Sequence, residues 1–269
     1  NLSFYHSFFS FGAVSALFLA ALLLSLIYII RTLNRQKRFS RRLAEFINNM
    51  THEFKTPITT ISLASETMQK SLQRLDTQRL NHYSRIIQDE SRRMRSQVEK
   101  ILQMAALEQR DHDLAIVPVD LHHMIQNAVE NFLLQVEARQ GKIELSLAAP
   151  DPVIQGDLVH LQNVLNNLLD NAVKYTRAIP VIRISTTSVD HGVEIRVVDN
   201  GIGLAEDEQK RVFEKFYRVD TGNVHDVKGF GIGLSYVKLI VDAHGGRIRV
   251  KSEPGQGSEF ILWLPCGGR

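Results

Sequence analysis

Cysteine is almost absent from this chain of 269 residues, in which Cys266 is the single example. One thiol cannot build a disulfide framework or a cysteine metal site within one chain, and this fits a reducing compartment. A strong charge excess is lacking as well, because the formal net charge is +3 and the sequence pI is about 9.0. We therefore predict no nucleic-acid partner. Internal repeats and low-complexity tracts are also lacking.

Charged side chains are missing from one long stretch, Phe8–Ile30. About 20 apolar residues are needed to cross a bilayer, so we predict a transmembrane helix here, in preference to a buried core helix or a cleaved signal peptide. Basic residues follow directly, at Arg31, Arg35, Lys37, Arg38, Arg41 and Arg42. By the positive-inside rule, they place residues after about 31 in the cytoplasm. Because the chain begins with Asn1 rather than Met, we expect a fragment that lacks a sensor region and a first membrane span.

A long helical pattern, from about Lys37 to Leu75, surrounds His52, which has the carboxylate of Glu53 beside it. Apolar residues recur every three or four positions, as in the seam of a coiled coil or a helical bundle. They include Leu43, Phe46, Ile47, Met50, Phe54, Ile58, Ile61 and Met68. At about 100° per residue, His52 points roughly opposite this seam. The pattern predicts a water-facing imidazole, either an ordinary surface histidine or an acceptor that meets a mobile partner.

A second helix is predicted from about Thr77 to Glu108, with an apolar stripe of its own. The stripe comprises Leu80, Tyr83, Ile87, Met94, Val98, Ile101 and Ala105. Two such helices bury only part of their seams against each other, so we predict a homodimer that completes a four-helix bundle. Pro57 should bend the first helix close to His52, unless it is tolerated at an irregular turn.

Strands and helices alternate after a polar linker at residues 109–113. Asp120 is a good N-cap for a helix that ends near Gln140. Further helices are predicted at residues 157–175, 206–213 and 233–244, and strands at residues 143–147, 181–188, 193–199, 247–252 and 259–264. The alternation predicts an α/β sandwich with helices on one face of a mixed sheet.

Polar residues with phosphate-binding chemistry share one face of the helix predicted at residues 157–175. Asn167 and Asn171 are four residues apart, and Lys174 is three further on. Amide oxygens are hard ligands for Mg²⁺, and an ammonium group neutralises phosphate. The spacing therefore suits a magnesium–triphosphate site, although a solvated polar face has the same pattern.

Asp199 ends an alternating strand and is followed by Gly201 and Gly203. A carboxylate at a strand end can accept a hydrogen bond from the amino group of adenine, and glycines let the backbone come close to the base. An ordinary turn has the same composition.

A second glycine cluster consists of Gly229, Gly231 and Gly233. Its spacing differs from the dinucleotide-binding pattern, which follows a strand directly. We predict a lid whose N–H groups wrap phosphates and which ends at a helix N-terminus near Gly233. The alternative is a glycine-rich surface loop.

Six sequence boxes occur in a fixed order, at His52–Pro57, Asn167–Thr176, Asp199–Gly203, Phe213–Arg218, Gly229–Leu234 and Gly255–Ser258. Together, from about residue 35 to residue 265, they resemble the membrane-bound sensor histidine kinases of bacterial two-component systems. Before this region, the uncharged stretch and the basic residues after it predict a transmembrane helix and juxtamembrane segment over residues 1–34. The resemblance implies a dimerisation and histidine phosphotransfer domain over residues 35–110, and a catalytic domain with the Bergerat ATP-binding fold over residues 114–269. It also implies ATP and Mg²⁺ as cofactors and a location in the bacterial inner membrane.

The same resemblance implies roles for three residues of the first box. His52 is phosphorylated, on Nε2, and Glu53 is the base that takes or orients the imidazole proton. The phosphoryl group then passes to an aspartate of a response regulator. Thr56 helps to position water when the regulator is dephosphorylated.

In the catalytic domain, the resemblance makes Asn171 the main Mg²⁺ ligand with support from Asn167. Lys174 and Tyr175 contact phosphate, and Arg218 lies near the γ-phosphate. Two other classes compete with this interpretation. A Bergerat-fold ATPase that acts as a conformational clamp needs no acceptor histidine, and a pseudokinase that serves as a scaffold or a phosphatase needs no intact nucleotide boxes. The box at His52 and the nucleotide boxes favour the kinase.

Overall fold

The computed structural model describes residues 2–72, 76–108, 114–219 and 231–267, without the side chains of residues 1–17 and a few others. Two compact units divide the chain, residues 1–48 and residues 49–269. Each is described by itself.

The first unit consists of the N-terminal part of helix α1, and the whole helix spans Leu2–Leu72. The prediction that this helix begins near Lys37 is therefore wrong. Residues 31–42 are rich in Arg, Leu, Gln and Lys, which propagate a helix readily, and contain no Pro or Gly. The predicted membrane span, Phe8–Ile30, falls partly outside the described side chains, at residues 8–17 and 20. Within the described part of the chain, none of the helices combines the length and apolar character that crossing a membrane requires.

The second unit begins with a helical hairpin, formed by the rest of α1 and by α2, Thr77–Glu108. Helix α1 continues through Pro57, whose side chain is buried. The ring removes one main-chain donor, and threonine hydroxyls bond to carbonyl oxygens in the adjoining turns. Thr56, Thr59 and Thr60 each donate to the carbonyl four residues earlier, at 3.3, 2.8 and 3.1 Å. Such bonds often accompany bends, but the predicted bend stays a prediction.

A mixed five-stranded sheet forms the frame of the part of the chain after the hairpin and confirms the mixed sheet predicted there. Its strands are β2 (Lys142–Leu147), β4 (Val181–Val189), β5 (Gly192–Asp199), β6 (Arg247–Glu253) and β7 (Gly257–Pro265). Their order is β2-β4-β5-β7-β6, with β2 and β4 parallel and the other pairs antiparallel. Two further short strands, β1 (Val117–Asp120) and β3 (Val153–Gly156), pair with each other and escaped prediction. Each has four residues, too few to show a period.

In the part of the chain that the structure describes, four helices accompany the strands, α3 (Leu121–Glu137), α4 (Leu158–Lys174), α5 (Glu206–Gln209) and α6 (Gly233–Ala243). Asp120 caps α3 as predicted, by accepting bonds from two main-chain N–H groups. The helix predicted at residues 206–213 is wrong beyond Gln209. There the main chain tightens into turns with bonds between residues three apart, such as Glu214 N–H to the carbonyl of Arg211 at 2.8 Å.

The core lies between the five-stranded sheet and the helices that cover one of its faces. Helix α4 packs against both α3 and α6. Fully buried side chains include Leu161, Leu165, Leu168 and Leu169 on α4 and Ile182, Ile184, Ile195 and Ile240 around them. Each stabilises the fold by about 1.5–3 kcal/mol relative to an exposed side chain. This burial fixes the rotation of α4 and leaves its asparagine-bearing face for the site described next.

Candidate functional site

A cavity of about 480 Å³ opens beside the polar face of α4. Its size is that of a small-molecule site. Most of the residues predicted for a nucleotide site line it, namely Asn167, Asn171, Lys174, Tyr175, Asp199, Gly203, Arg218, Gly231 and Gly233. Gly201 adjoins this wall without lining the cavity, and Gly229 lies outside the described residues. The structure therefore brings together residues from four separate sequence boxes.

The two asparagines of α4 that line the cavity, Asn167 and Asn171, differ in their hydrogen bonds. The amide nitrogen of Asn167 donates to the carbonyl of Asn163 at 2.8 Å. Its oxygen Oδ1 lies against Gly233, where a Cβ atom would sit 3.0 Å from it. No described residue bonds to the side chain of Asn171, which lines the cavity. Its amide oxygen is therefore available to a cation.

Lys174 is paired with a residue that the sequence analysis did not single out. Its Nζ atom lies 2.5 Å from Oδ2 of Asp170. The two residues are four apart on α4, a spacing at which acidic and basic side chains meet, and this signal could have revealed the pair. Asp170 also lines the cavity. To contact a phosphate, Lys174 must leave or share this partner.

Tyr175 and Arg218 lie close together in the wall. Burial raises the pKa of the Tyr175 hydroxyl, and the positive charge of Arg218 opposes this rise. Tyr175 therefore stays protonated at neutral pH and can donate a hydrogen bond. Arg218 provides a permanent positive charge near it.

Asp199 lies at the end of β5. One of its carboxylate oxygens accepts hydrogen bonds from the main chain, and the other accepts none from a described residue. Its Oδ1 accepts bonds from the N–H groups of Gly201 at 2.7 Å and Ser258 at 3.3 Å. The residue is 8% exposed. Burial raises the pKa of its carboxyl, and the two N–H donors oppose this rise. Oδ2 is thus left as an acceptor for a ligand.

Gly203 is required by the backbone around it. Its φ angle is +69°, and a Cβ atom there would lie 1.9 Å from the carbonyl oxygen of Glu253. A side chain would therefore separate this loop from β6. The predicted approach of the glycines to a base stays a prediction.

The N-terminus of α6 faces the cavity without a side-chain cap. Ile232 is at the N-cap position and makes no side-chain hydrogen bond there. Gly231, Ile232, Gly233 and Leu234 all line the cavity. Free N–H groups and the helix dipole favour an anion at such an end. The rest of the predicted lid, residues 220–230, lies outside the described residues.

Apolar side chains that the sequence analysis did not predict complete the wall on the Asp199 side. They are Ile202, Leu204, Val212 and Phe260, with Tyr236 nearby. Burial raises the pKa of Tyr236 to about 12, and its hydroxyl lies 2.9 Å from Nδ1 of His160. An apolar surface next to one free carboxylate oxygen suits a flat heterocycle with an amino group. Nothing in their local sequence pattern marks these residues, because strands and turns supply them from distant positions.

The hairpin carries the other group of predicted residues. His52 is exposed, as predicted, and Thr56 is exposed as well. Neither of them nor Glu53 lines the cavity. Glu53 instead forms an ion pair with Arg93 of α2, with 3.7 Å between Oε2 and Nη2. Arg93 does line the cavity, so one side chain links the surroundings of His52 to this wall.

Comparison with known proteins identifies the family. Residues 42–110 match the His Kinase A (phospho-acceptor) domain. Residues 156–268 match the histidine kinase-, DNA gyrase B-, and HSP90-like ATPase domain. The chain belongs to the sensor histidine kinases. The phospho-acceptor domain separates this histidine kinase from the clamp-type ATPases that share its nucleotide-binding fold.

Relatives of this histidine kinase are sensor proteins. It is 44% identical over 258 residues to the sensor protein RprX of Bacteroides fragilis, covering 95% of this chain and 50% of that protein. It is 32% identical over 223 residues to the sensor-like histidine kinase SenX3 of Mycobacterium bovis, covering 82% of this chain and 53% of that one. The chain thus spans about half the length of these relatives.

Solved structures share the fold. Full-length ShkA in complex with AMPPNP superposes with a TM-score of 0.62 at 27% identity, over 71% of this chain and 40% of that one. The histidine kinase ThkA, solved in complex with the response regulator protein TrrA, gives a TM-score of 0.60 at 24% identity, over 87% of this chain and 64% of that one.

Proposed function

We propose that this histidine kinase transfers the γ-phosphoryl group of ATP to His52 and then to an aspartate of a response regulator. One observation carries the proposal. A cavity with nucleotide-binding chemistry has Arg93 in its wall, and Arg93 pairs with Glu53 beside the exposed His52. Incubation of the chain with γ-labelled ATP and Mg²⁺ tests it. The label should be acid-labile and base-stable, as phosphohistidine is, and should pass to an added regulator.

The proposed reaction assigns each of these groups a role. Nε2 of His52 attacks the γ-phosphorus, the bond from that phosphorus to the β–γ bridging oxygen breaks, and ADP leaves with the electron pair. The proton on the other ring nitrogen passes to Glu53. Arg218 and the α6 N-terminus stabilise the charge on the transferring group and its phosphate neighbours.

The amide face of α4 fits a magnesium ion. Asn171 has a side chain without a hydrogen bond from a described residue, and Asn167 keeps its oxygen on the same face. We infer that Asn171 is a ligand of Mg²⁺ and that Asn167 supports it. When bound, the ion neutralises phosphate charge.

Asp199→Asn tests how the adenine is recognised. Asparagine keeps an oxygen for the N–H groups of Gly201 and Ser258 but places an NH₂ donor where Oδ2 stands. The amino group of adenine is itself a donor, so ATP binding should weaken by about tenfold or more. Competition between ATP and GTP measures the change. An unchanged preference for ATP would show that another group recognises the base.

The same variant should be more stable than the wild type without nucleotide at neutral pH. Burial raises the pKa of folded Asp199 above its ordinary 3.8, so ionisation costs folding free energy. Below that ordinary pKa the carboxyl is protonated in both states, and the cost is absent. It grows as the pH rises through the raised pKa. Thermal unfolding at several pH values should show a Tm advantage near pH 7 that shrinks on acidification, and a difference independent of pH would contradict this cause.

We also propose that the kinase dephosphorylates its regulator and that Thr56 holds the water. Thr56 is exposed one turn from His52, and its hydroxyl donates to the His52 carbonyl at 3.3 Å. Its lone pairs remain for a water molecule. Thr56→Ala should leave autophosphorylation nearly intact and slow dephosphorylation of the regulator by at least about tenfold. Both rates are measured in one variant, with the neighbouring Thr59→Ala as control. A parallel loss of both activities would show that Thr56 acts on the helix structure near Pro57 and not on the water.

We propose a homodimer through the hairpin. Ile58 and Val98 belong to the two predicted seams and are 51% and 42% exposed in the single chain. The match to the phospho-acceptor domain supports the same arrangement. Light scattering at micromolar concentration should give twice the mass of one chain, whereas a monomer would refute the bundle.

A location in the bacterial inner membrane is a further proposal. It rests on the uncharged stretch Phe8–Ile30 and on the basic residues that follow it, with residues after about 31 in the cytoplasm. Membranes that carry the chain should retain it through washes with high salt and alkali. Release by those washes would rule out a membrane span.

A further inference from the structure

Arg93 is one of the described hairpin residues that line the nucleotide cavity. Its guanidinium lies between two carboxylates, with Nη2 3.7 Å from Oε2 of Glu53 and Nη1 3.8 Å from Oε2 of Glu90. Both distances exceed hydrogen-bond length. Oε2 of Glu90 is buried without a hydrogen-bond partner among the described residues. Charge therefore holds the guanidinium in place, and its five N–H donors make no hydrogen bond to these two carboxylate oxygens.

The same wall has unsatisfied polarity one turn along α2. Gln97 follows Arg93 by four residues, so both lie on one face of the helix, and both line the cavity. The side-chain oxygen of Gln97 is buried and has no partner among the residues that the structure describes. Buried polar groups are normally hydrogen-bonded. This part of the wall therefore offers unpaired polar groups to which a polar ligand can bind.

Three cationic side chains line the described part of the cavity wall, Arg93, Lys174 and Arg218. Lys174 is already neutralised by Asp170 at 2.5 Å. A triphosphate must be matched by further cations, and a guanidinium offers the planar fork that fits phosphate oxygens. Arg93 is 35% exposed, so its long side chain has room to turn.

We propose that Arg93 is a nucleotide-binding residue supplied by the hairpin, whose guanidinium exchanges Glu53 and Glu90 for the terminal phosphates of ATP. The inference rests on the proposed function. Without nucleotide, Arg93 neutralises Glu53. With ATP bound, the carboxylate of Glu53 is released and can accept the proton from His52. Arrival of the substrate thus prepares the base that the phosphoryl transfer uses.

Equilibrium binding of AMPPNP and of AMP, each with Mg²⁺, to the full chain in detergent tests the proposal. Arg93→Ala should weaken AMPPNP binding by about tenfold and leave AMP binding unchanged, which also shows that the variant is folded. Arg93→Lys should recover part of the loss. Arg92→Ala and Arg95→Ala are matched controls, because both arginines are exposed on the same helix, and neither should change the affinity.

The competition for Arg93 gives a second measurement. Glu90→Gln removes one carboxylate that holds the guanidinium, so AMPPNP should bind several-fold more tightly, and the gain should vanish in the double variant with Arg93→Ala. Equal affinity of wild type and Arg93→Ala for AMPPNP would overturn the inference, as would equal losses for AMPPNP and AMP. Failure of the wild type itself to bind AMPPNP would instead contradict the proposed function.

Discussion

His52→Ala should abolish the incorporation of label from γ-labelled ATP, to below about one part in a thousand of the wild-type rate. The substitution removes the ring nitrogen that forms the phosphoryl bond, and no positioning or charge effect replaces a missing nucleophile. ATP binding should persist, because His52 does not line the cavity. The measurements are acid-labile label after a fixed time and, separately, nucleotide affinity.

His82→Ala is the matched control for this result. His82 is exposed on α2 of the same hairpin, and its replacement should leave labelling unchanged. Surface substitutions of this kind change the free energy of unfolding by about 0.5 kcal/mol or less, so both variants should unfold at nearly the wild-type temperature. Label that survives in His52→Ala, or that resists acid as phosphoserine does, would refute the assignment of the acceptor.

Asn171→Ala should lower the rate of Mg²⁺-dependent autophosphorylation by about a hundredfold or more. A magnesium ion supplies several kcal/mol of charge stabilisation in phosphoryl transfer, and each 1.36 kcal/mol is a factor of about ten in rate. Alanine removes an amide oxygen of the α4 face that makes no hydrogen bond to a described residue and lines the cavity. A titration of the rate with Mg²⁺ measures the loss.

Two further variants separate the metal role from a general effect on α4. Asn171→Asp keeps an oxygen at the same place and should retain more of the Mg²⁺-dependent activity than alanine does. Asn166→Ala alters an amide on the same helix outside the cavity wall and should leave the Mg²⁺ dependence intact. An unchanged rate in Asn171→Ala would show that this residue is not a ligand of Mg²⁺. The proposed hairpin dimer should persist in every one of these variants.

Local sequence patterns predicted the regular elements of the catalytic domain well. The capping of α3 by Asp120 and the exposure of His52 depend on neighbours within a turn or two, and the mixed sheet depends on alternation within each strand. Prediction failed where local signals were weak or overruled. The segment after Gln209 reads as helix, yet packing of Phe213 against Phe260, with ring centroids 6.5 Å apart, accompanies a chain of tight turns.

The candidate site shows the same division. Asn167, Asn171, Lys174 and Asp199 could be chosen from spacing and strand position, because their chemistry is arranged along single elements. The pairing of Lys174 with Asp170 was visible in principle as a four-residue spacing on one helix. The apolar surface beside Asp199 was not, since separate strands and turns contribute its members.

By itself, the sequence determined the family, marked His52 as the expected acceptor and supplied the residue types proposed for a nucleotide site, because these features lie in local order and spacing. The tertiary structure decided which side chains share the cavity and which partners their charges find. Arg93 and Gln97 stand in an ordinary charged helix in the sequence, and the fold makes them line one cavity with residues more than 60 positions away. Which residues share a cavity depends on how whole helices and strands pack together, and the periodicity of a local sequence does not specify that packing.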